Sequence, residues 1–254
     1  MAICFIVGHG KSAKGGYDSG AVSGSYHEFK IAKEIAKYAA EYYNSTYAEK
    51  ADLMNYNGDL YLTERISRAN TKGYSFIAEI HLNAGGGTGS EVFHAKKSSK
   101  GKKIAAAVSK KISVALGIKD RGAKTKVTSS GTDYFGIIRQ TNAEAVLVET
   151  VFIDTAGDLN KVKSAEGQKK CGIAIAQGIA EARGIKKKAT AKIEVGDKVK
   201  LISGATYYDG KKIPLWVKLK TLYVRSISGD RVVISTQRTG AVTGAVHKKY
   251  LKEV

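Results

Sequence analysis

Three short apolar segments of this chain each lead into an imidazole or a carboxylate, and this arrangement restricts the fold more than any other feature. They are residues 3–7 before His9, residues 77–80 before His81, and residues 146–148 before Glu149. In an open α/β sheet, ligands gather beyond the carboxyl ends of the strands. We therefore expect the three side chains to meet at one edge of a sheet. Two imidazoles together with carboxylates are a donor set typical of zinc.

Between these segments, apolar residues recur at helical spacing. The repeats are Ile31, Ile35 and Ala39, then Ile104, Val108 and Ile112, and finally residues 173–179, which lead to Gly184. Strands that alternate with helices form a mostly parallel sheet with helices on both faces. The sequence therefore predicts an α/β fold in which a mostly parallel, twisted sheet is flanked by helices.

The composition is that of a globular protein of one or two domains. Of 254 residues, 43% are hydrophobic, and no apolar run approaches the ~20 residues that a membrane span needs. We therefore expect no membrane insertion. The start of the chain lacks the basic region and cleavage pattern of a signal peptide. Cys4 and Cys171 fall in a predicted strand and a predicted helix, so we expect buried free thiols.

The pattern of apolar and polar residues changes near residue 188. Residues 1–185 carry the strand and helix alternation, and residues 186–192 are polar and without periodicity, which is typical of a linker. Residues 193–254 contain short strands, and Ser228-Gly229-Asp230 is a tight hairpin signal. This segment is predicted to form a small all-β barrel.

The chain has a large positive charge. It carries 42 Lys and Arg against 23 Asp and Glu, a net charge of +19, and residues 189–254 alone hold 13 basic and 5 acidic residues. The electrostatic field of such a charge attracts polyanions. The candidate partners are nucleic acid and the anionic polymers of a bacterial wall. The sequence has no helix-turn-helix, zinc-finger or RNP-like pattern, so the charge is the only feature that supports nucleic acid, and we expect no nucleic-acid partner.

A catalytic zinc site needs about three protein ligands, and Glu28 is the best candidate for the third. It stands at the start of the helix that carries Ile31 and Ile35. A carboxylate is favoured in the first turn of a helix by the helix dipole. Since that helix follows the first strand, Glu28 is expected near His9. Glu79 shares the strand face of His81 and is an alternative partner for that imidazole.

Five motifs occur in a consistent order along residues 2–182. They are Val7-Gly8-His9-Gly10 with Asp18-Ser19-Gly20-Ala21, Glu28 at a helix start, Ile80-His81-Leu82-Asn83-Ala84, Gly89-Ser90-Glu91-Val92-Phe93, and residues 146–152 with Asp158 beyond. Together they resemble the zinc-dependent N-acetylmuramoyl-L-alanine amidases. The chain departs from the family at Val7-Gly8, where Asp-Pro is frequent, at Ala143-Glu144 and at Asp154. None of these departures removes a ligand.

The resemblance implies a mechanism and a substrate. His9, Glu28 and His81 would hold Zn²⁺, and Glu149 would be the catalytic acid and base. The bond cut would be the amide between the lactyl group of N-acetylmuramic acid and L-alanine of the peptidoglycan stem. Asn83 would either orient the substrate or support the loop of His81.

Residues 193–254 resemble bacterial SH3-like cell-wall-binding modules. Tyr207 and Tyr208 cannot both point inward on a strand, so at least one is a candidate for wall binding. Trp216 and Tyr223 are interpreted as core residues of the barrel, with a role in wall binding as the alternative.

An amidase with a wall-binding module and no signal peptide resembles a phage endolysin. Such a protein is expected to stay in the host cytoplasm until release and then to act on the wall. A host autolysin of the same activity, or a non-catalytic wall-binding protein, is the alternative. The sequence sets no oligomeric state.

Overall fold

The computed structural model describes residues 1–188 and 193–254, and the chain divides into two compact units after Lys188. The predicted linker, residues 186–192, crosses this division. The Ala48 amide donates to the Lys186 carbonyl (3.2 Å) and the Lys188 amide to that of Thr46 (2.8 Å). Residues 186–188 therefore pair with the first unit, while residues 189–192 lie outside the described residues.

The first unit alternates strands and helices. Its strands are β1 (Ile3–Val7), β2 (Gly10–Lys11), β3 (Tyr17–Asp18), β4 (Val22–Ser23), β5 (Tyr26–His27), β6 (Ala51–Met54), β7 (Phe76–Asn83), β8 (Ser90–His94), β9 (Asp120–Lys124) and β10 (Glu144–Phe152). Its helices are α1 (Glu28–Thr46), α2 (Leu62–Lys72), α3 (Ser99–Leu116), α4 (Gly136–Gln140), α5 (Ala156–Val162) and α6 (Ala165–Arg183).

The central sheet of this unit is mixed. Within the described residues its strand order is β6-β1-β7-β10-β8-β9. All neighbouring pairs are parallel except β8 and β10, which are antiparallel. The expected mostly parallel sheet is thus interrupted at one place, because β8 follows β7 through the short loop 84–89 and returns in the opposite direction.

Helices cover both faces of the sheet. On one face, α1, α3 and α6 pack against the alternate residues Ile3, Phe5 and Val7 of β1 and their neighbours. On the other face, α2 and α4 cover Cys4 and Ile6. Cys4 and Cys171 are buried free thiols, as predicted.

Glycines of α6 allow its neighbours to pack closely. A Cβ at Gly172 would lie 2.6 Å from the Ile35 carbonyl oxygen on α1, and one at Gly178 would lie 2.7 Å from Val108 Cα on α3. These contacts are too short for any other residue. They hold α1, whose first residue is Glu28, firmly against the layer.

The second unit is a small β structure. Its elements are β11 (Lys198–Leu201), α7 (Leu215–Lys218), β12 (Leu222–Ser228), β13 (Arg231–Ser235), β14 (Gly244–His247), a 3₁₀ turn (Lys248–Tyr250) and β15 (Leu251–Glu253). In the part that the structure describes, these strands form an antiparallel sheet in the order β14-β13-β12-β11-β15. Val199, Leu222, Val224, Val232 and Ile234 are buried at its centre. No helix within residues 1–188 or 193–254 has the length and apolar character needed to cross a membrane.

Candidate metal centre and active site

Sheet register brings the predicted site residues together. Glu149 on β10 lies directly opposite His81 on β7, and His9 follows the end of β1, the other neighbour of β7. His81 and Glu149 continue the alternation that places Ile77 and Leu147 on the face covered by α2 and α4. The expected convergence at the carboxyl edge is therefore present.

Glu28 joins the two imidazoles. Its Oε1 lies 3.1 Å from His9 Nε2 and 2.9 Å from His81 Nδ1, and one ligand atom from each of the three residues falls within 4.8 Å of the others. Glu28 is buried at the first residue of α1. The amides of Ala21 and Leu82 donate to its Oε2 and Oε1 at 2.8 and 3.0 Å, so the carboxylate is held from both sides.

In each imidazole, the ring nitrogen that does not contact Glu28 contacts a second carboxylate. His9 Nδ1 lies 2.9 Å from Asp18 Oδ2, and His81 Nε2 lies 3.2 Å from Glu79 Oε2. Glu79 is itself paired with the buried Arg65, whose Nε is 2.9 Å away. Carboxylates placed in this way fix the ring orientation and tautomer of metal-binding histidines. The role considered for Glu79 agrees with this contact.

His9 has an unusual backbone conformation, with φ at 62°. This left-handed region is uncommon for a residue with a side chain. The Asn55 side chain donates to the carbonyls of both Val7 and His9 at 2.8 Å, and Arg65 Nη1 donates to His9 at 3.1 Å. These two polar residues hold the strained turn that aims His9 into the site. Sequence reasoning missed them, because they lie 46 and 56 residues away along the chain.

The three clustered residues stabilise one another's charged forms. Burial alone would raise the pKa of Glu28, but hydrogen bonds from His81 and His9 outweigh it and hold that pKa well below its usual range. Burial alone would lower the pKa of His81, yet its contacts with Glu28 and Glu79 raise it well above its ordinary value. Because a ligating imidazole must be neutral, metal binding here would release protons.

Glu149 differs from the other carboxylates. Its Oε2 is buried and has no hydrogen-bond partner within the described parts of the chain. Burial raises the pKa of Glu149 to about 7, which suits a group that must both accept and donate a proton near neutral pH. Two imidazoles and a carboxylate are a ligand set for zinc, and the buried carboxylate oxygen of Glu149 beside them would accept a proton from a zinc-bound water. The donor set and its surroundings are therefore compatible with zinc.

Asn83 borders the site and links it to the next strands. The Asn83 side chain donates to Glu91 Oε1 (2.8 Å), and Arg121 Nε donates to Glu91 Oε2 (2.6 Å). Glu91 lies opposite Glu149 in the sheet. A cavity of about 430 Å³ opens over the cluster and is lined by His9, Asn83, Glu149 and the aromatic residues Tyr61 and Phe135.

The glycine-rich loop 84–89, which follows Asn83, is tied down by two carboxylates. Asp154 Oδ2 accepts from the amides of Gly85 and Gly86, at 2.7 and 2.9 Å. The buried Asp158 accepts from Gly89 and from Phe152 on β10, at 2.8 and 3.0 Å. The loop is therefore anchored beside the site.

In the second unit, the aromatic candidates have different surroundings. Tyr207 is partly buried against the core, whereas Tyr208 is 50% exposed and its ring stacks on His247. The interpretation of Trp216 as a core residue is wrong, because its side chain is 58% exposed. The short α7 turn directs Val217 inward, and the tryptophan next to it points out.

Comparisons with known proteins agree with the geometry. The chain is 28% identical over 188 residues to the sporulation-specific N-acetylmuramoyl-L-alanine amidase of Bacillus subtilis (strain 168), which is 72% of this chain and 71% of that protein. It is 31% identical over 185 residues to the endolysin of Bacillus phage SPP1, which is 69% of this chain and 65% of that protein.

The fold is also similar to a solved catalytic domain. The structure of CwlV, an N-acetylmuramoyl-L-alanine amidase from Bacillus (Paenibacillus) polymyxa var. colistinus, superposes with a TM-score of 0.61 at 27% identity, covering 73% of this chain and all of that domain. Residues 3–181 match the family Amidase_3, N-acetylmuramoyl-L-alanine amidase. The chain therefore belongs to the Amidase_3 family of N-acetylmuramoyl-L-alanine amidases.

Proposed function

We propose that this protein is a zinc-dependent peptidoglycan amidase that separates N-acetylmuramic acid from L-alanine of the stem peptide. The observation that carries the proposal is the group of ligand atoms of His9, Glu28 and His81 within 4.8 Å. Opposite His81 lies Glu149, whose Oε2 has no hydrogen-bond partner among the described residues. Such a site has both parts that amide hydrolysis needs, a place for a Lewis acid and a proton carrier.

The chain's own residues would divide the work as follows. When bound, zinc would polarise the scissile carbonyl and acidify the attacking water. Glu149 accepts the proton of that water and delivers it to the amide nitrogen as the carbon–nitrogen bond breaks. The products are a lactyl carboxylate and the free amino group of L-alanine. Asp18 and Glu79 keep the two imidazoles oriented, and Asn83 borders the cavity where the substrate would lie.

The metal part is tested by elemental analysis of purified variants. We expect one zinc per chain, and we expect His9→Ala and His81→Ala to lose metal and hydrolysis of soluble muropeptides together. His247→Ala, in the second unit, is the matched control and keeps both. Full zinc occupancy in either site variant would refute the ligand assignment. Mass spectrometry of digested peptidoglycan identifies the bond, because amidase cleavage leaves new L-alanine amino termini.

We further propose that residues 193–254 form an SH3-like module that holds the enzyme on the wall, and that the protein acts as an endolysin after release from the host cytoplasm. The relative from Bacillus phage SPP1 is named an endolysin, which supports the proposed role as an endolysin. So does the excess of basic residues in the unit, since anionic wall polymers attract it. Tyr208 borders a groove that Lys211 and Arg231 also line.

Wall binding is tested with the full chain and its variants. We expect Tyr208→Ala to hydrolyse soluble muropeptides normally and to bind purified walls more weakly. Residues 1–188 alone should likewise cleave soluble substrate and lyse cells poorly. Part of the binding should weaken with salt, because exposed charges are screened beyond ~8 Å at physiological ionic strength. Unchanged lysis by the truncated enzyme would refute the targeting role. Wall binding without any hydrolysis would indicate the non-catalytic alternative.

A further inference from the structure

The α7 turn of the second unit and the residue that caps it, Leu219, expose three large apolar side chains side by side. Leu215 is 70% exposed, Trp216 58% and Leu219 74%. Residues three and four apart on a helical turn lie on the same side, so the three form one patch. Single exposed apolar residues are ordinary, but a contiguous group on a monomer surface marks a site of interaction. We call these three residues the α7 patch.

The patch is held rigidly outward. Ile213 and Val217, which flank and interleave with it, are buried in the core of the unit. The carbonyl of Pro214 accepts from the amides of Val217 and Lys218, at 3.1 and 3.2 Å. The patch is therefore exposed on an ordered turn, because the inner face of that turn is already packed against the core.

The surroundings of the patch are basic. Along the chain the patch is flanked by Lys212, Lys218, Lys220 and Arg225, while the charge of Lys211 is balanced by Asp209, 3.0 Å away. Lys218 and Lys220 alternate directly with the patch residues. Leucine side chains gain from leaving water only if an apolar phase receives them, and the lysines gain from a negative surface next to that phase.

We propose that the α7 patch is an interfacial anchor that binds the surface of anionic phospholipid bilayers. Tryptophan and leucine opposite lysine are the pattern of segments that lie in the headgroup boundary without spanning the membrane. A glycan or a polyphosphate chain offers no apolar volume for Leu215 and Leu219, so the wall polymers do not account for them. The anchor is independent of the proposed amidase activity.

The chain has a single tryptophan, so its fluorescence on excitation near 295 nm reports on the patch alone. We expect the emission of the full-length protein to shift to the blue with vesicles of phosphatidylglycerol and phosphatidylcholine, and to be quenched by lipids brominated near the headgroup. Pure phosphatidylcholine vesicles should give a much smaller change, because attraction to the lysines is lost.

Variants separate the apolar and the charged contributions. Leu215→Ala and Leu219→Ala should each weaken vesicle affinity about tenfold, as expected when part of a leucine side chain no longer enters the lipid. Lys218→Gln and Lys220→Gln should each weaken it about fivefold. Val242→Ala is the matched control, an equally exposed residue of the same unit, and should bind normally. Circular dichroism and Tm verify the fold of each variant.

The absence of both an emission shift and co-flotation with anionic vesicles would overturn the proposal. The proposal would also be overturned if purified walls shifted the emission and vesicles did not, because the patch would then be a wall-binding surface. A shift that depends on protein concentration without lipid would instead indicate contact between two copies. Because no arm measures hydrolysis, these outcomes are distinguishable from failure of the amidase proposal.

Discussion

Replacement of Gly8 by alanine should disable the metal site while leaving the fold intact. The backbone of Gly8 is outside the left-handed region, so alanine is sterically allowed there. However, a Cβ at this position would lie 2.2 Å from His81 Cε1 and 2.3 Å from its Nε2, where ordinary contact begins at 3.4 Å. The imidazole must therefore move by about 1 Å. Zinc sites tolerate deviations of only about 0.2 Å.

The expected loss follows from that displacement. A ligand moved by about 1 Å no longer coordinates, so zinc affinity should fall by at least the roughly 10–100-fold that weaker disturbances of supporting residues cause. A misplacement of this size also costs about 10²-fold in rate. Stability should fall by about 1–3 kcal/mol, the usual cost of overpacking, while Gly8 keeps its backbone hydrogen bond to Ile80.

The assay measures bound zinc after dialysis against a graded chelator, together with muropeptide hydrolysis. Gly157→Ala is the matched control, because no atom of residues 1–188 or 193–254 lies within 4 Å of a Cβ at that position, which is also far from the metal ligands along the chain. In α5 this change should if anything stabilise the protein. Normal zinc retention and turnover in Gly8→Ala would refute the reasoning, since His81 could then not be a ligand in this geometry.

Three further predictions concern single carboxylates. Glu149→Gln should keep zinc and fold but lose about 10²- to 10⁴-fold in hydrolysis; loss of zinc in this variant would make Glu149 a ligand instead. Asp158→Asn should lower stability by about 2 kcal/mol, or roughly 4–8 °C in Tm by calorimetry. Asp158 accepts from Thr88 with one oxygen and from Gly89 and Phe152 with the other, whereas asparagine has a single acceptor oxygen. An unchanged Tm would contradict this. Burial would raise the pKa of Glu49, but hydrogen bonds from Arg183 and Tyr43 lower it below its ordinary value of 4.5. A depressed pKa stabilises the fold at pH values above the ordinary value of 4.5, and this contribution is lost as the pH falls below it. Denaturation measured at neutral pH and at increasingly acidic pH should therefore show a larger loss of stability for the native chain than for Glu49→Gln.

Sequence patterns predicted three helices and three strands of the first unit, and the functional side chains near the carboxyl ends of those strands. Apolar periodicity predicts α1, α3 and α6, and continuous apolar runs predict β1, β7 and β10, because burial requires one side-chain period for helices and another for strands. The rule that ligands gather at the carboxyl edge of a sheet then predicts that His9, His81 and Glu149 converge. The resemblance to a family supplied the substrate and the roles of these residues.

Tertiary structure decided what depends on residues distant along the chain. The antiparallel entry of β8, the support of His9 by Asn55 and Arg65, and the contact of Asp18 with His9 have no local signal. The contact of Glu79 with His81, by contrast, follows from strand alternation. The outward position of Trp216 was likewise missed, since a tryptophan in a small β unit is usually needed for its core. Local sequence determines which backbone conformation is favoured and which face is apolar. Which polar groups meet across the fold, and which apolar groups stay in water, depends on register and packing between elements, and these are set by the whole chain at once.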